Sequence, residues 1–257
     1  MLPETLKWLL KRLFARMGIQ VSRTSGTVSH ELHLLRIFSS LLINCVIDVG
    51  AHEGSFGREL RDMGYAGYIV SFEPVAENYA VLERASSGDP RWRVFPYALG
   101  DSTGQAEINV FSGSTFHSLL APSAYGQEAF KDKMHLVRTE RIEIKRLDEV
   151  LESCLDGIPS PRLFLKTDTQ GHCLAVLEGA GRALDRVLAL QIEAALQPIY
   201  LGTSATLANV LPVLQQRAFA VTGLFPVSLD KRDGLRIIEV DCVAIRSVEG
   251  ISSHTRT

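Results

Sequence analysis

No run of about 18 uncharged apolar residues occurs in the chain, which excludes a membrane-spanning helix made from one continuous stretch. Charge of one sign is also lacking in excess: 27 lysines and arginines stand against 29 aspartates and glutamates. Nothing global therefore steers the chain to nucleic acid, and no large basic patch is visible that would do so locally. Cysteine is scarce. Cys45, Cys154, Cys173 and Cys242 show no C-x-x-C spacing and mostly sit in apolar runs, which fits reduced thiols in a cytoplasm better than disulfides or a zinc site. Internal repeats and low-complexity tracts are absent as well. The 257 residues that remain suffice for one sizeable α/β domain with at most a small helical appendage.

The appendage would be N-terminal. In residues 6–17, LKWLLKRLFARM, the apolar Leu6, Leu9, Leu10, Leu13, Phe14 and Met17 fall at helical spacing with Lys7, Lys11, Arg12 and Arg16 between them. Charges at Lys11 and Arg12 interrupt the segment too early for a secretory signal. A basic amphipathic helix of this kind packs on its own domain, mediates self-association, or docks on an anionic membrane surface, which would make the protein membrane-peripheral.

After a polar break at residues 22–29, a second amphipathic segment (residues 30–42) leads into a strand at 45–47. From there helical and strand periodicities alternate as in βαβ units. The spacing predicts helices over 56–63, 75–85, 147–155, 174–184 and 206–217. Strands are predicted over 68–72, 92–96, 163–166 and 187–192, with 218–224 and 237–245 as a closing pair. Residues 105–111 and 139–144 alternate apolar and polar. Between them the long polar stretch 112–137, carrying His117 and His135, is expected to cover an active site.

The chain is organised around residues 43–57, INCVIDVGAHEGSFG, a buried strand running into Asp48, a glycine-bearing turn and a helix start. Such a turn presents free backbone N–H groups and a positive helix end beside an open crevice. In open α/β sheets ligands bind beyond the carboxyl ends of the strands, and four acids fall at such ends: Asp48, Glu73, Asp168 and Glu193. The glycines, Gly50, Gly54 and Gly57, depart from the G-x-G-x-x-G that brings backbone against a pyrophosphate. Asp48 just before the turn would repel phosphate and suit an ammonium. Glu73, 25 residues later (73 − 48), is placed to accept both hydroxyls of a ribose. A ribose without phosphate, joined to a cationic amino-acid part, describes S-adenosylmethionine.

The blocks VIDVGAHEGSFGREL, FEP (72–74), ALGD (98–101) and LKTDTQGHCLAVLEGA (165–180), in this order, resemble the FkbM-type S-adenosylmethionine-dependent methyltransferases over residues 46–246. The resemblance implies a Rossmann-like class I methyltransferase fold. Its seven-stranded, mostly parallel sheet would have order 3-2-1-4-5-7-6, strand 7 antiparallel, and helices on both faces. It also implies methyl transfer to a hydroxyl of a small-molecule or glycan acceptor, on a sugar or a secondary-metabolite scaffold, by residues 43–250, with residues 1–42 a helical extension. Carried over, Asp48, Gly50 and Gly54 hold the methionine part and Glu73 the ribose, while Leu99 packs on adenine and Asp101 accepts from its amine. Asp168 faces the reacting centre and is the first candidate for the base, with His172 and His117 behind it. Two positions depart from the family pattern: His52 stands where Asn is usual, within the cofactor turn, and Cys173 where Glu is usual. No metal is expected, since no extra Asp pair accompanies Asp168 and Glu193. Two other readings stay open. Cys173 motivates a non-catalytic cofactor-binding protein, and the fold class admits a nicotinamide-dependent dehydrogenase, which the glycine spacing and the lack of a Tyr-x-x-x-Lys pair disfavour.

Overall fold

A computed structural model describes residues 29–247. The amphipathic segment at residues 6–17 lies outside the described residues. The first element is α1 (His30–Leu41), started by Ser29, whose hydroxyl accepts from the Leu32 amide, and ended by Leu42 in the left-handed conformation. Then come β1 (Cys45–Val49), α2 (Ser55–Asp62), β2 (Tyr68–Phe72), α3 (Ala76–Ser86) and β3 (Trp92–Phe95). A smaller group follows: β4 (Ala98–Leu99), β5 (Gly104–Phe111), a 3-10 turn (Ser114–Phe116), α4 (Ala124–Ala129) and β6 (Leu136–Lys145). The chain closes with α5 (Leu147–Leu155), β7 (Leu163–Thr167), α6 (Cys173–Ala180), a 3-10 segment (Gly181–Arg186), β8 (Val187–Ala195), α7 (Leu207–Gln216), β9 (Phe219–Leu229) and β10 (Ile237–Arg246). No helix of the described residues is long and apolar enough to cross a membrane.

The main sheet runs β3-β2-β1-β7-β8-β10-β9. Counting its strands alone in chain order, this is 3-2-1-4-5-7-6, with β10 antiparallel to both neighbours. β1 and β7 are buried along their whole length, as central parallel strands covered on both faces must be. Alternate residues feed two cores. Cys45, Ile47, Leu163 and Leu165 pack with α5 and α6, while Val46 and Phe164 pack with α1, α2 and Trp92.

Two expectations change. The helix at 174–184 is α6 followed by a tighter 3-10 segment, because Gly181 departs from helical geometry with φ 49° and ψ −125°. The stretch 112–137 is no bare loop: Phe116, Leu120, Tyr125 and Phe130 pack against a cluster formed by Phe111, Met134, Ile199, Tyr200 and Ile238. Those apolar residues follow neither a helical nor a strand period. β4, β5 and β6 form a second sheet of three strands beside the main one, β5 and β6 antiparallel, with Gly104 opposite Ile144 and β4 joined to the far side of β6.

Candidate active site

A cavity of about 700 Å³ opens beyond the carboxyl ends of β1, β2, β7 and β8. Its size is within the range of small-molecule sites. At one end lies the turn after β1. Gly50, at φ 79°, and Ala51 donate their amides to the Phe72 carbonyl, so the turn is tied to the end of β2. A Cβ on Gly50 would stand 2.0 Å from the Asp168 carbonyl oxygen, so only glycine lets β1 and β7 close on each other here. Glu73, 5% exposed, lines the same end. Its carboxylate accepts from the amides of His52 (2.9 Å) and Val75 (3.0 Å) and from Asn78 Nδ2 (3.5 Å). Burial outweighs these donors and pushes its pKa up to about 7. Ala98, Leu99, Ile108 and Ile142 supply an apolar wall beside it.

Asp168, Glu193, Glu239 and Asp241 line the same cavity. Gln170 donates from Nε2 to Asp168 Oδ1 (3.1 Å) and to Glu193 Oε2 (2.9 Å). The Lys166 ammonium lies 3.4 Å from Asp168 Oδ2 and holds that carboxyl below its ordinary range. Burial and the Asp168 charge push Glu193 well above its own range. Glu239, whose carboxylate accepts from Ser228, is raised to about 7 by burial. Among the described residues no group of three or more His, Cys, Asp or Glu is arranged to hold a metal ion.

Of the residues expected from sequence, Gly50, His52, Glu73, Leu99, His117, Asp168 and His172 line the cavity; Asp48, Gly54 and Asp101 do not. Asp48 is wholly buried, and its carboxylate is taken by Lys166 (3.3 Å) and Ser71 (3.5 Å), so the protein's own ammonium occupies the role expected for the ligand's. Gly54 caps α2 at φ 84°, with the position of a Cβ filled by Leu82 and Trp92. Asp101 is exposed and accepts from Ser102, because the chain leaves the cavity wall after Leu99. His172 lies against Gly100, next to the apolar wall. His117 Nδ1 accepts from the Phe111 amide (3.1 Å), and burial lowers its pKa to about 4. Its free nitrogen thus carries a hydrogen and can donate, which removes it as a base. His52, at φ 52°, buries an Nε2 with no partner in the protein. Cys173 is fully buried off the cavity, donating to the Thr167 carbonyl.

Missed by sequence reasoning were Gln170 and the pair Glu239 and Asp241; Lys166, read from sequence as a strand-end ion pair, is paired with Asp48 and Asp168. Glu239 and Asp241 stand at the amino end of β10, where Asp241 pairs with Glu193 and Glu239 with Ala195. Because β10 runs against its neighbours, its first residues fall where theirs end.

Sheet order, crevice position and the acids at the strand ends define a Rossmann-like protein of the methyltransferase type. The model of the methyltransferase FkbM domain matches residues 48–221, and the chain belongs to that family. Methyltransferase sdnD of Sordaria araneosa is 30% identical over 156 residues, covering 52% of this chain and 59% of that protein, so the match spans less than two thirds of the relative's length. Among solved structures, a rRNA methylase from Streptococcus thermophilus aligns at TM-score 0.46 with 13% identity, over 86% of this chain and 99% of that one. The 1,6-didemethyltoxoflavin-N1-methyltransferase of Burkholderia thailandensis aligns at 0.44 with 11% identity, over 96% and 91%.

Proposed function

We propose that the chain is an S-adenosylmethionine-dependent methyltransferase that methylates a hydroxyl of a sugar, glycan or secondary-metabolite acceptor. One observation carries the reading: a single cavity is lined both by the buried Glu73 and by Asp168, whose carboxyl Lys166 holds below its ordinary range. The residues fit the cofactor. Glu73 Oε2 keeps a lone pair for a ribose hydroxyl, Leu99 and Ile142 offer apolar surface to a flat ring, and the orphaned His52 Nε2 is a buried group that a ligand would satisfy. When bound, the cofactor supplies a methyl group on a sulfonium.

The protein then has to align the acceptor oxygen, exclude water and take a proton. The cover residues Phe116, Leu119 and Phe130 close the cavity with apolar surface. Asp168 accepts the hydroxyl proton. Its low pKa suits that step, since the acceptor oxygen becomes strongly acidic as its new bond forms and a weak base suffices. His117, held by the Phe111 amide, can donate to an acceptor oxygen. Cys173 lies off the cavity wall, so it takes no part in these steps.

Calorimetry with S-adenosylhomocysteine, paired with transfer of labelled methyl into glycan and small-molecule extracts, tests the division of roles. Glu73→Ala should weaken binding at least about 10-fold. Asp168→Asn should bind within about threefold of wild type and lose roughly 100-fold or more in turnover. Equal loss of binding in both variants would refute the reading.

A further inference from the structure

Gln170 belongs to none of the roles above, yet more polar groups converge on it than on any cofactor-side residue described. It stands in the left-handed region at φ 48°, followed by Gly171 at φ 93°. A side chain rarely adopts that conformation unless the surroundings hold it. Here they do. The backbone carbonyl of Gln170 accepts from Ser118 Oγ (2.7 Å), and its Oε1 accepts from Tyr200 Oη (2.9 Å). The Tyr200 hydroxyl also lies 2.8 Å from the Phe116 carbonyl. Both N–H groups of the amide go to Asp168 and Glu193.

These bonds fix the amide in one orientation. Turned over, it would set its carbonyl oxygen, an acceptor, against the Asp168 carboxylate. We propose that Gln170 is the positioning residue that binds Asp168 and Glu193 into one hydrogen-bonded pair and, through Tyr200, ties that pair to the cover segment at Phe116 and Ser118.

The surrounding groups show why a neutral double donor is needed. Asp168 feels Lys166 on its own strand, Asp48 on β1, His52 in the turn after β1, Glu193 on β8, and Glu239 and Asp241 on β10. Lys166 is the cation among them, and it is shared with Asp48. Without further donors on the side away from Lys166, the Asp168 carboxylate would lose hydrogen bonds that favour its charged form, and its titration would move up. Gln170 supplies those donors without adding charge. The importance of this for turnover rests on the role proposed for Asp168, but the arrangement can be tested without turnover.

The experiment is a carbon-13 NMR titration of the full chain labelled at its Asp and Glu carboxyls, with Asp168→Asn and Glu193→Gln spectra giving the assignments. Gln170→Glu is close to isosteric, removes both donors and adds a charge. It should move the Asp168 titration up by about 1 pH unit or more. Tyr200→Phe keeps the packing and frees the amide to turn, and should move it in the same direction by less. S-adenosylhomocysteine affinity should stay within about threefold in both variants, since Glu73, the residue proposed to hold the cofactor's ribose, takes its hydrogen bonds from His52, Val75 and Asn78 and not from Gln170 or Tyr200. An unmoved Asp168 titration in the folded variants overturns the proposal, and Tyr200→Phe alone decides if Gln170→Glu does not fold. A wild-type protein that binds S-adenosylhomocysteine but methylates nothing would sink the proposed function, while a shifted titration in these variants would still uphold the pairing.

Discussion

The Lys166 ammonium sits between two carboxylates that it treats differently. Asp48 is wholly enclosed, and burial pushes its carboxyl up against the pull of Lys166, whereas Asp168 opens on the cavity and is held down. Removing the cation leaves an uncompensated charge in the sheet, which typically costs about 3–5 kcal/mol. Lys166→Met is therefore expected to lower the melting temperature by about 10 °C. Adding Asp48→Asn should recover most of that loss, and failure to recover would show that the ammonium over the Phe56 ring, 5.1 Å from its centroid, and not the ion pair, is what Lys166 provides. Glu239 gives a pH signature. The folded protein holds its proton up to about 7 against an ordinary value of 4.5, so its stabilising contribution is full below about 4.5 and lost as pH rises through 7. Between pH 5 and 8, wild type should lose roughly 1–3 kcal/mol more than Glu239→Gln in denaturant titrations. Parallel curves for the two proteins would exclude this.

Elements in this fold approach each other through glycines, and α6 shows it most sharply. A Cβ on Gly179 would stand 1.7 Å from the Gly100 carbonyl oxygen, immediately after β4. Gly179→Ala must push α6 away from the segment that carries Ala98 and Leu99. The expected result is a loss of about 2–3 kcal/mol together with weaker S-adenosylhomocysteine binding, measured by thermal melts and calorimetry. Lost stability with unchanged affinity would detach β4 from the cofactor wall. The sequence showed the main-sheet elements well because each carries its own period: Tyr68–Phe72 and Leu147–Leu155 match the expected bounds. It did not show that Ala98–Leu99 is a strand, since two residues carry no period and their pairing with Ile144 and Lys145 spans more than 40 residues of chain. Gly104 opposite Ile144 is hidden for the same reason. Of the ALGD block, Ala98 and Leu99 line the cavity and Gly100 and Asp101 do not.

At the scale of the whole molecule, the rule that ligands sit beyond carboxyl strand ends located the cavity but not all of its residues. It placed Glu73, Asp168 and Glu193 on the wall. It misplaced Asp48 because side chains alternate along a strand: Val49, one residue further, faces the cavity instead. It passed over Glu239 and Asp241 because β10 is antiparallel and brings its amino end to the site. The cavity is lined by the turn after β1, the end of β2 and β4, and also by β7, β8, β10 and residues 227–229. A ligand held as proposed, against the turn after β1, Glu73 and β4, should protect those segments most. S-adenosylhomocysteine at about 100 times its dissociation constant stabilises the fold by about 2.7 kcal/mol, which is large enough to read by hydrogen exchange. Peptides spanning residues 50–54, 73–78 and 98–99 should slow strongly, while those from β9 and the start of β10 keep their wild-type rates. Protection that is strongest at Glu239 and Asp241 would place the cofactor among the acids and overturn that assignment.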